Sequence, residues 1–229
     1  MKFKSVLLAM SSGSVGGATF SHNKGGMYIR RRATPTNPNS TRQAAVRAIM
    51  ADLANRWNNT LSAAQRTAWN TYASNVKVPN AFGDLVYITG LNHYVRSNVP
   101  AIQAWGAGGR KDAAPTTFNV GDYTYPVFAA DQGTNLISVT FKTDDDWAGE
   151  PGASMNFYVS VGQNPSINYF KGPYQRVNQV WGNAPPPASP YTFDPGFAIV
   201  TGNKLFIRSN VCRADGRLSF PFLGGCTCT

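Results

Sequence analysis

Leu205-Phe206-Ile207-Arg208-Ser209 and Arg217-Leu218-Ser219-Phe220-Pro221-Phe222 flank the turn Arg213-Ala214-Asp215-Gly216, and this stretch decides the fold class. Asp-Gly suits a tight reversal between strands, so the two short runs predict a closing β-hairpin. Upstream the same rhythm recurs in Tyr123 to Ala129, Leu136 to Phe141, Met155 to Val161, Ile167 to Phe170, Val177 to Trp181 and Phe197 to Val200. Each is a short apolar run bounded by turn residues. Seven or eight such strands in about 110 residues predict an antiparallel β-sandwich over 117–229. The composition agrees: 22 Gly, 15 Pro and only 14% charged residues suit a turn-rich, strand-rich chain.

Before this region the apolar period is helical. Ser40-Thr41-Arg42-Gln43 and Ser62-Ala63-Ala64-Gln65 both fit a capping box, in which hydroxyl and amide satisfy free backbone N–H groups at a helix start. Val46, Ile49, Met50, Leu53 and Trp57 then share one helix face, and Leu61, Ala68, Trp69, Tyr72 and Val76 share a second. Asn58-Asn59-Thr60 is a short connection, which predicts a helical hairpin with Trp57 and Trp69 packed near its turn. A third helix is expected within 83–99, from Leu85, Ile88, Leu91, Val95 and Val99. Gly106 to Pro115 is rich in Gly and Ala, and 106–116 is expected as a linker.

Residues 1–38 form the third piece. Ala18 to His22 and Met27 to Arg30 flank Asn23-Lys24-Gly25-Gly26 and predict a β-hairpin, with bends at Gly13, Gly16 and Gly17. Met1-Lys2-Phe3-Lys4 with Ser5 to Met10 imitates a secretory signal, but its apolar stretch is short for one, and a strand is expected. The fold class expected is therefore α+β. An extended basic arm with a β-hairpin (1–38) leads to a helical segment (39–105), a linker (106–116) and an Ig- or fibronectin-like β-sandwich (117–229).

The net charge of +10 is unevenly placed. Residues 1–113 carry fourteen Lys/Arg against three Asp, whereas 114–229 carry seven against eight Asp/Glu. A basic N-terminal half points to an acidic partner, either a protein surface or nucleic acid. No apolar run reaches the roughly 20 residues that cross a bilayer, so no membrane span is expected.

Catalytic chemistry is sparse. His22 and His93 lack a second ligand at metal spacing, and Gly13-Ser14-Val15-Gly16-Gly17 lacks the Lys-Ser/Thr of a phosphate-binding loop. Asp144-Asp145-Asp146 with Glu150 is the main carboxylate cluster, but it lacks the alternation of a calcium loop and fits a solvated turn. Cys212, Cys226 and Cys228 are odd in number, which fits reduced thiols, with a Cys212–Cys226 bridge left open. No enzyme, metal, cofactor or small-molecule substrate is expected.

Assembled in this order, the motifs resemble a loosely defined group of phage and prophage-type virion proteins. These join a glycine-rich basic hairpin to a capped helical pair and an Ig- or fibronectin-like domain. The residues that carry the resemblance are Gly13 to Gly17, Tyr28-Ile29-Arg30-Arg31-Arg32, Asn37 to Gln43, Gln65 to Trp69, Gly90 to Asn98 and Ala214 to Ser219. The resemblance implies a non-enzymatic virion component, minor capsid, decoration or tail-associated, assembled in the host cytoplasm. Its partners would be other virion proteins and copies of itself. Arg30, Arg31, Arg32, Arg42, Arg47 and Arg56 are the expected contacts to an acidic partner surface, joined by Phe20 and Tyr28 from the hairpin. Nucleic-acid binding by the basic half is one alternative. The other is a glycan- or receptor-binding sandwich using exposed Trp147, Tyr169, Tyr174, Trp181 or Tyr191.

Overall fold

The computed structural model describes residues 13–23, 26–34, 37–80, 84–170 and 172–229, and the strand expected at Ser5–Met10 lies outside them. The fold is α+β, with antiparallel sheets and three α-helices among the described residues. It divides into two compact units, Met1–Ala44 and Ala45–Thr229.

The first unit carries β1 (Gly13–Val15), β2 (Ala18–Asn23) and β3 (Gly26–Arg31), an antiparallel sheet in the order β1-β2-β3. The expected hairpin is β2–β3. The expected bend at Gly16-Gly17 lets β1 fold back as a third strand, with Gly16 in the left-handed region at φ 55°.

The division between the units falls within the first helix. α1 (Thr41–Asn59) and α2 (Ala63–Asn75) start where the sequence placed them. At α2, Gln65 N–H donates to Ser62 Oγ at 3.2 Å while Ser62 N–H donates to Gln65 Oε1 at 2.9 Å. The last turn of α1 is closed by Arg66, whose Nη1 donates to the Trp57 and Asn58 carbonyls. A ribbon of β4 (Val78–Pro79) and β5 (Leu85–Val86) follows.

α3 (Gly90–Trp105) starts later than expected and runs through Pro100. Thr89 caps it, accepting from Asn92 N–H at 3.3 Å. Gly90 is dictated by packing, since a Cβ there would lie 2.9 Å from the backbone nitrogen of Asn70 on α2. Leu53, Leu61, Trp69, Tyr72 and Tyr94 form the helical core. The Tyr94 ring sits 5.7 Å from Trp57 and 5.5 Å, edge to face, from Trp69.

One residue beyond the helices ties all three together. Asp112 accepts Arg56 Nη2 from α1 at 2.7 Å and the Tyr94 hydroxyl from α3 at 2.9 Å, while its backbone carbonyl accepts Trp69 Nε1 from α2 at 3.1 Å. Its neighbour is clamped too: buried Asn98 accepts Lys111 N–H at 2.6 Å and donates to the Lys111 carbonyl at 3.0 Å. The segment 106–116 is thus not a loose hinge. It opens as a 3-10 turn (Gly106–Gly109) and lies bonded along the helices inside one compact unit.

The β region has two sheets. β10 (Tyr191–Phe193), β7 (Leu136–Thr140) and β6 (Val127–Asp131) pair in that order, and so do β12 (Phe222–Thr227), β11 (Lys204–Cys212), β8 (Ser154–Val159) and β9 (Gln175–Trp181). Both sheets feed one apolar core, through Phe128, Ile137, Val139 and Phe193 from the first and Met155, Phe157, Leu205, Ile207 and Phe222 from the second. Phe157 and Phe193 stack at 5.3 Å within it. α3 packs on the outer side of the four-stranded sheet, where Ala101 meets Cys212 and Leu218.

Three strand expectations are corrected. Ile167–Phe170 is a loop, because the Phe170 ring stacks on Phe206 at 5.5 Å. Phe197–Val200 is irregular, and Tyr191–Phe193 pairs with β7 instead. The last strand begins at Phe222, not Arg217. Cys212 bridges Leu218 while Ser209 pairs with Phe222, a one-residue slip at a place where the Ser219 hydroxyl takes Val211 N–H and Pro221 has none to give.

Burial works to raise the Asp112 carboxyl, but the hydrogen bonds from Arg56 and Tyr94 and the charges of Arg56 and Arg110 outweigh it and hold it below its ordinary value. A depressed carboxyl contributes stability that is complete above its unfolded value, about 3.9, and lost as pH falls through the folded one. Asp112→Asn should therefore cost about 2–3 kcal/mol in urea unfolding at pH 7. The fall of Tm on acidification below about pH 4 should be shallower in the variant than in the parent. Equal slopes would show that this carboxylate does not govern acid lability.

Candidate functional site

The expected docking residues of the first unit lie on its three-stranded sheet, and strand register sorts them by face. Residues directly opposite each other share a face, and neighbours along a strand alternate. Pairing of Phe20 with Ile29 and Gly13, and of Ala18 with Arg31 and Val15, puts Val15, Ala18, Phe20, Ile29 and Arg31 on one side. Pairing of Ser21 with Tyr28, and of Thr19 with Arg30 and Ser14, puts the hydroxyl residues, Tyr28 and Arg30 on the other. One face is apolar with a cationic end; the other is polar. Phe20 and Tyr28, both expected among the partner contacts, are therefore on opposite faces.

The arginine run is divided in the same way. Arg30, Arg31 and Arg32 are all exposed, but Arg30 and Arg31 belong to opposite faces, and the Arg32 N–H extends the ladder to the Gly17 carbonyl at 2.8 Å. Arg42 and Arg47 are exposed on α1, about 140° apart around it at 3.6 residues per turn. Both take part in interactions within the chain. Arg56 is turned to Asp112, which is where its charge is spent. Within the first unit, Arg30 and Arg31 therefore do not share one surface.

The aromatic candidates of the β region separate by burial. Trp147 is wholly buried in the core and Tyr191 packs against it, so the alternative glycan surface does not include them. Tyr169 is 76% exposed, and the Tyr174 hydroxyl donates to the Phe170 carbonyl at 3.0 Å. Trp181 is 45% exposed and faces Trp105, which the sequence did not single out, at 5.8 Å. Trp181 Nε1 donates to the Ala104 carbonyl at 3.3 Å. With Pro151, Pro185 and Pro187 the two indoles line a groove of about 830 Å³.

The carboxylate loop is built into the structure. Buried Asp145 accepts the Thr124 N–H at 2.7 Å and the Thr124 hydroxyl at 3.0 Å. Asp146 accepts Asp122 N–H at 3.0 Å, and Arg213 bridges Asp146 and Glu150. His93 is buried, with Nε2 against the Val76 carbonyl at 3.0 Å, and burial lowers its pKa first among its causes. The three cysteines are free thiols. Cys226 pairs with Leu205 and Cys212 with Ser154, at opposite ends of β11, so Cys212 and Cys226 are roughly 20 Å apart along the strand, far beyond disulfide reach. Burial pushes the Cys212 thiol up to about 12 and Cys226 up to about 11.

A second cationic group was missed in the sequence. Arg96, Arg176 and Arg208 lie far apart in the chain and converge on the outer face of the four-stranded sheet. The signal was thin. Arg208 sits in an apolar run and Arg176 just before one, but only the register of β8 with β9 and β11 puts them in one row. No family model, no curated protein and no solved structure matches the chain.

Because Arg30, Arg31 and Arg32 are exposed and belong to the first unit, replacing all three with alanine should change the unfolding free energy of the Ala45–Thr229 unit by less than about 0.5 kcal/mol. Denaturant unfolding followed by tryptophan fluorescence reads this directly, since all five tryptophans lie in that unit. A larger loss would assign these arginines a structural role.

Proposed function

We propose that the protein is a non-enzymatic structural component of a phage-type virus particle, a minor capsid, decoration or tail-associated protein that docks through its N-terminal sheet onto neighbouring subunits. The observation that carries this reading is a separate small unit whose sheet has one apolar face ending in a cation. Val15 is exposed and Phe20 and Ile29 are partly exposed, and a neighbouring subunit with an apolar patch and an acidic rim fits them together with Arg31. Among the described residues the outer edges of β1 and β3 carry no further strand, and such edges suit pairing with a strand from a neighbour.

The β region supports the same reading at the level of fold. Strands β7 and β8, and again β10 and β11, lie in different sheets, a Greek-key pattern that agrees with an Ig- or fibronectin-like sandwich. It departs from the antibody pattern in two ways: the buried Trp147 precedes β8 instead of lying on it, and no disulfide joins the sheets. Such sandwiches suit projecting, load-bearing or receptor-facing modules, and fold alone does not choose among them. The Trp105–Trp181 groove favours a second reading, a glycan-binding module, because paired exposed indoles offer flat faces for sugar rings.

Co-sedimentation with particles or with partner subunits tests the docking. Phe20→Ser should abolish incorporation, while Tyr28→Ser, on the opposite face, should reduce it by less than about threefold; the same loss from both would remove the single-face interface. Incorporation that survives Phe20→Ser, together with submicromolar DNA binding at physiological salt, would transfer the basic half to nucleic acid.

A further inference from the structure

The outer face of the four-stranded sheet gathers three arginines that, among the described residues, have no acidic partner. Across the strands Arg208 on β11, Tyr158 on β8 and Arg176 on β9 form one row, and Asn210, Asn156 and Gln179 form the next. Arg96 reaches this face from α3, held by Nη2 to the Ser219 carbonyl at 3.3 Å. Arg176 Nη2 is anchored on Gln179 Oε1 at 2.6 Å and Asn156 Oδ1 at 3.3 Å, which leaves its buried Nε with no hydrogen-bond partner. Arg208 lies over the Tyr158 ring at 5.9 Å and is exposed, so the row opens to solvent at that end. Asn210 is 6% exposed, and its side-chain oxygen is also unpartnered.

The ion pairs of this region go elsewhere. Among the described residues, Arg56, Arg110, Arg213 and Arg217 have carboxylates within 4.0 Å, but Arg96, Arg176 and Arg208 have none. Burying cationic groups without an anion is unfavourable, and well-placed guanidinium forks are suited to oxyanions. The electrostatics agree with the geometry. Burial lowers the pKa of Arg176 and of Arg96, and the charge of Arg208 lowers Arg96 further. A bound anion would relieve both effects.

We propose that Arg96, Arg176 and Arg208, with the Asn210 amide, form a binding site for a phosphate group, either inorganic phosphate or a terminal phosphate monoester. Three cations favour a dianion over a single carboxylate. The Asn210 side-chain oxygen, unpartnered and one row along on the same face, can accept the hydroxyl that inorganic phosphate keeps as a dianion, whereas a dianionic monoester carries none and would be held by the arginines alone. The site is independent of the N-terminal sheet and of the docking assigned to it.

Arginine Nε–H NMR signals of the full chain test the site, in titrations with inorganic phosphate and with glycerol phosphate at ionic strength held constant by chloride. The Arg176 Nε–H signal should shift saturably, and Arg208→Gln, a change at an exposed position, should weaken binding at least tenfold while the remaining spectrum stays folded. Arg176→Gln should abolish binding in the same way. The probe that binds more tightly identifies the source of the phosphate. A shift that never saturates, or saturation with unchanged affinity in both variants, would overturn the site.

Discussion

Asp112 is the constraint on which the helical region depends. A single residue offers one carboxylate to a cation on α1 and a phenol on α3, and one carbonyl to an indole on α2. Each donor would otherwise be a polar group stranded at the edge of an aromatic core, at a cost of about 1–3 kcal/mol. The aromatic packing and the polar node therefore support one another: Trp57, Trp69 and Tyr94 cover one side of a node that stays partly open to solvent, and the bonds fix the rotation of the rings. It also explains why a glycine-rich stretch that looks like a hinge is held in place, since Asn98 and Asp112 remove the freedom that its composition permits.

Fixing α3 in turn determines the β region. With Ala101 seated on Cys212 and Leu218, and Ala104 bonded to Trp181, one side of the four-stranded sheet is covered at one end and open at the other. This is why β8 is buried on both faces, with Met155, Phe157 and Val159 in the apolar core and Ser154 and Asn156 beneath the helix. Polar residues at such depth need partners within the protein. Asn156 finds Arg176, while Arg176 Nε and the Asn210 oxygen remain without one, and the exposed end of that row carries Arg208. A partly covered sheet thus gathers charge and unsatisfied polarity in one place.

The two units serve different physical roles. The N-terminal sheet is small, two-faced and basic, suited to gaining stability from what it meets. The Ala45–Thr229 unit has its own aromatic and β cores.

What the sequence by itself determined was local. The two capping boxes, the β2–β3 hairpin, the apolar faces around Leu53 and Trp69 and the period-two runs at β7, β8 and β9 were legible because their signals lie within a few residues of one another. The basic arm residues were legible as charges but not as faces, so Phe20 and Tyr28 were grouped until register separated them. Tertiary structure alone decided the rest. Gly90 could be placed as a helix start only once Asn70 was beside it, and Ser219 and Pro221 could displace the last strand only once Val211 was opposite. Asp112 became a hub only when three helices met it, and Arg96, Arg176 and Arg208 became neighbours only through strand pairing. Contacts between residues far apart in the chain depend on closure of long loops and on shared burial, and neither leaves a periodic mark in the sequence.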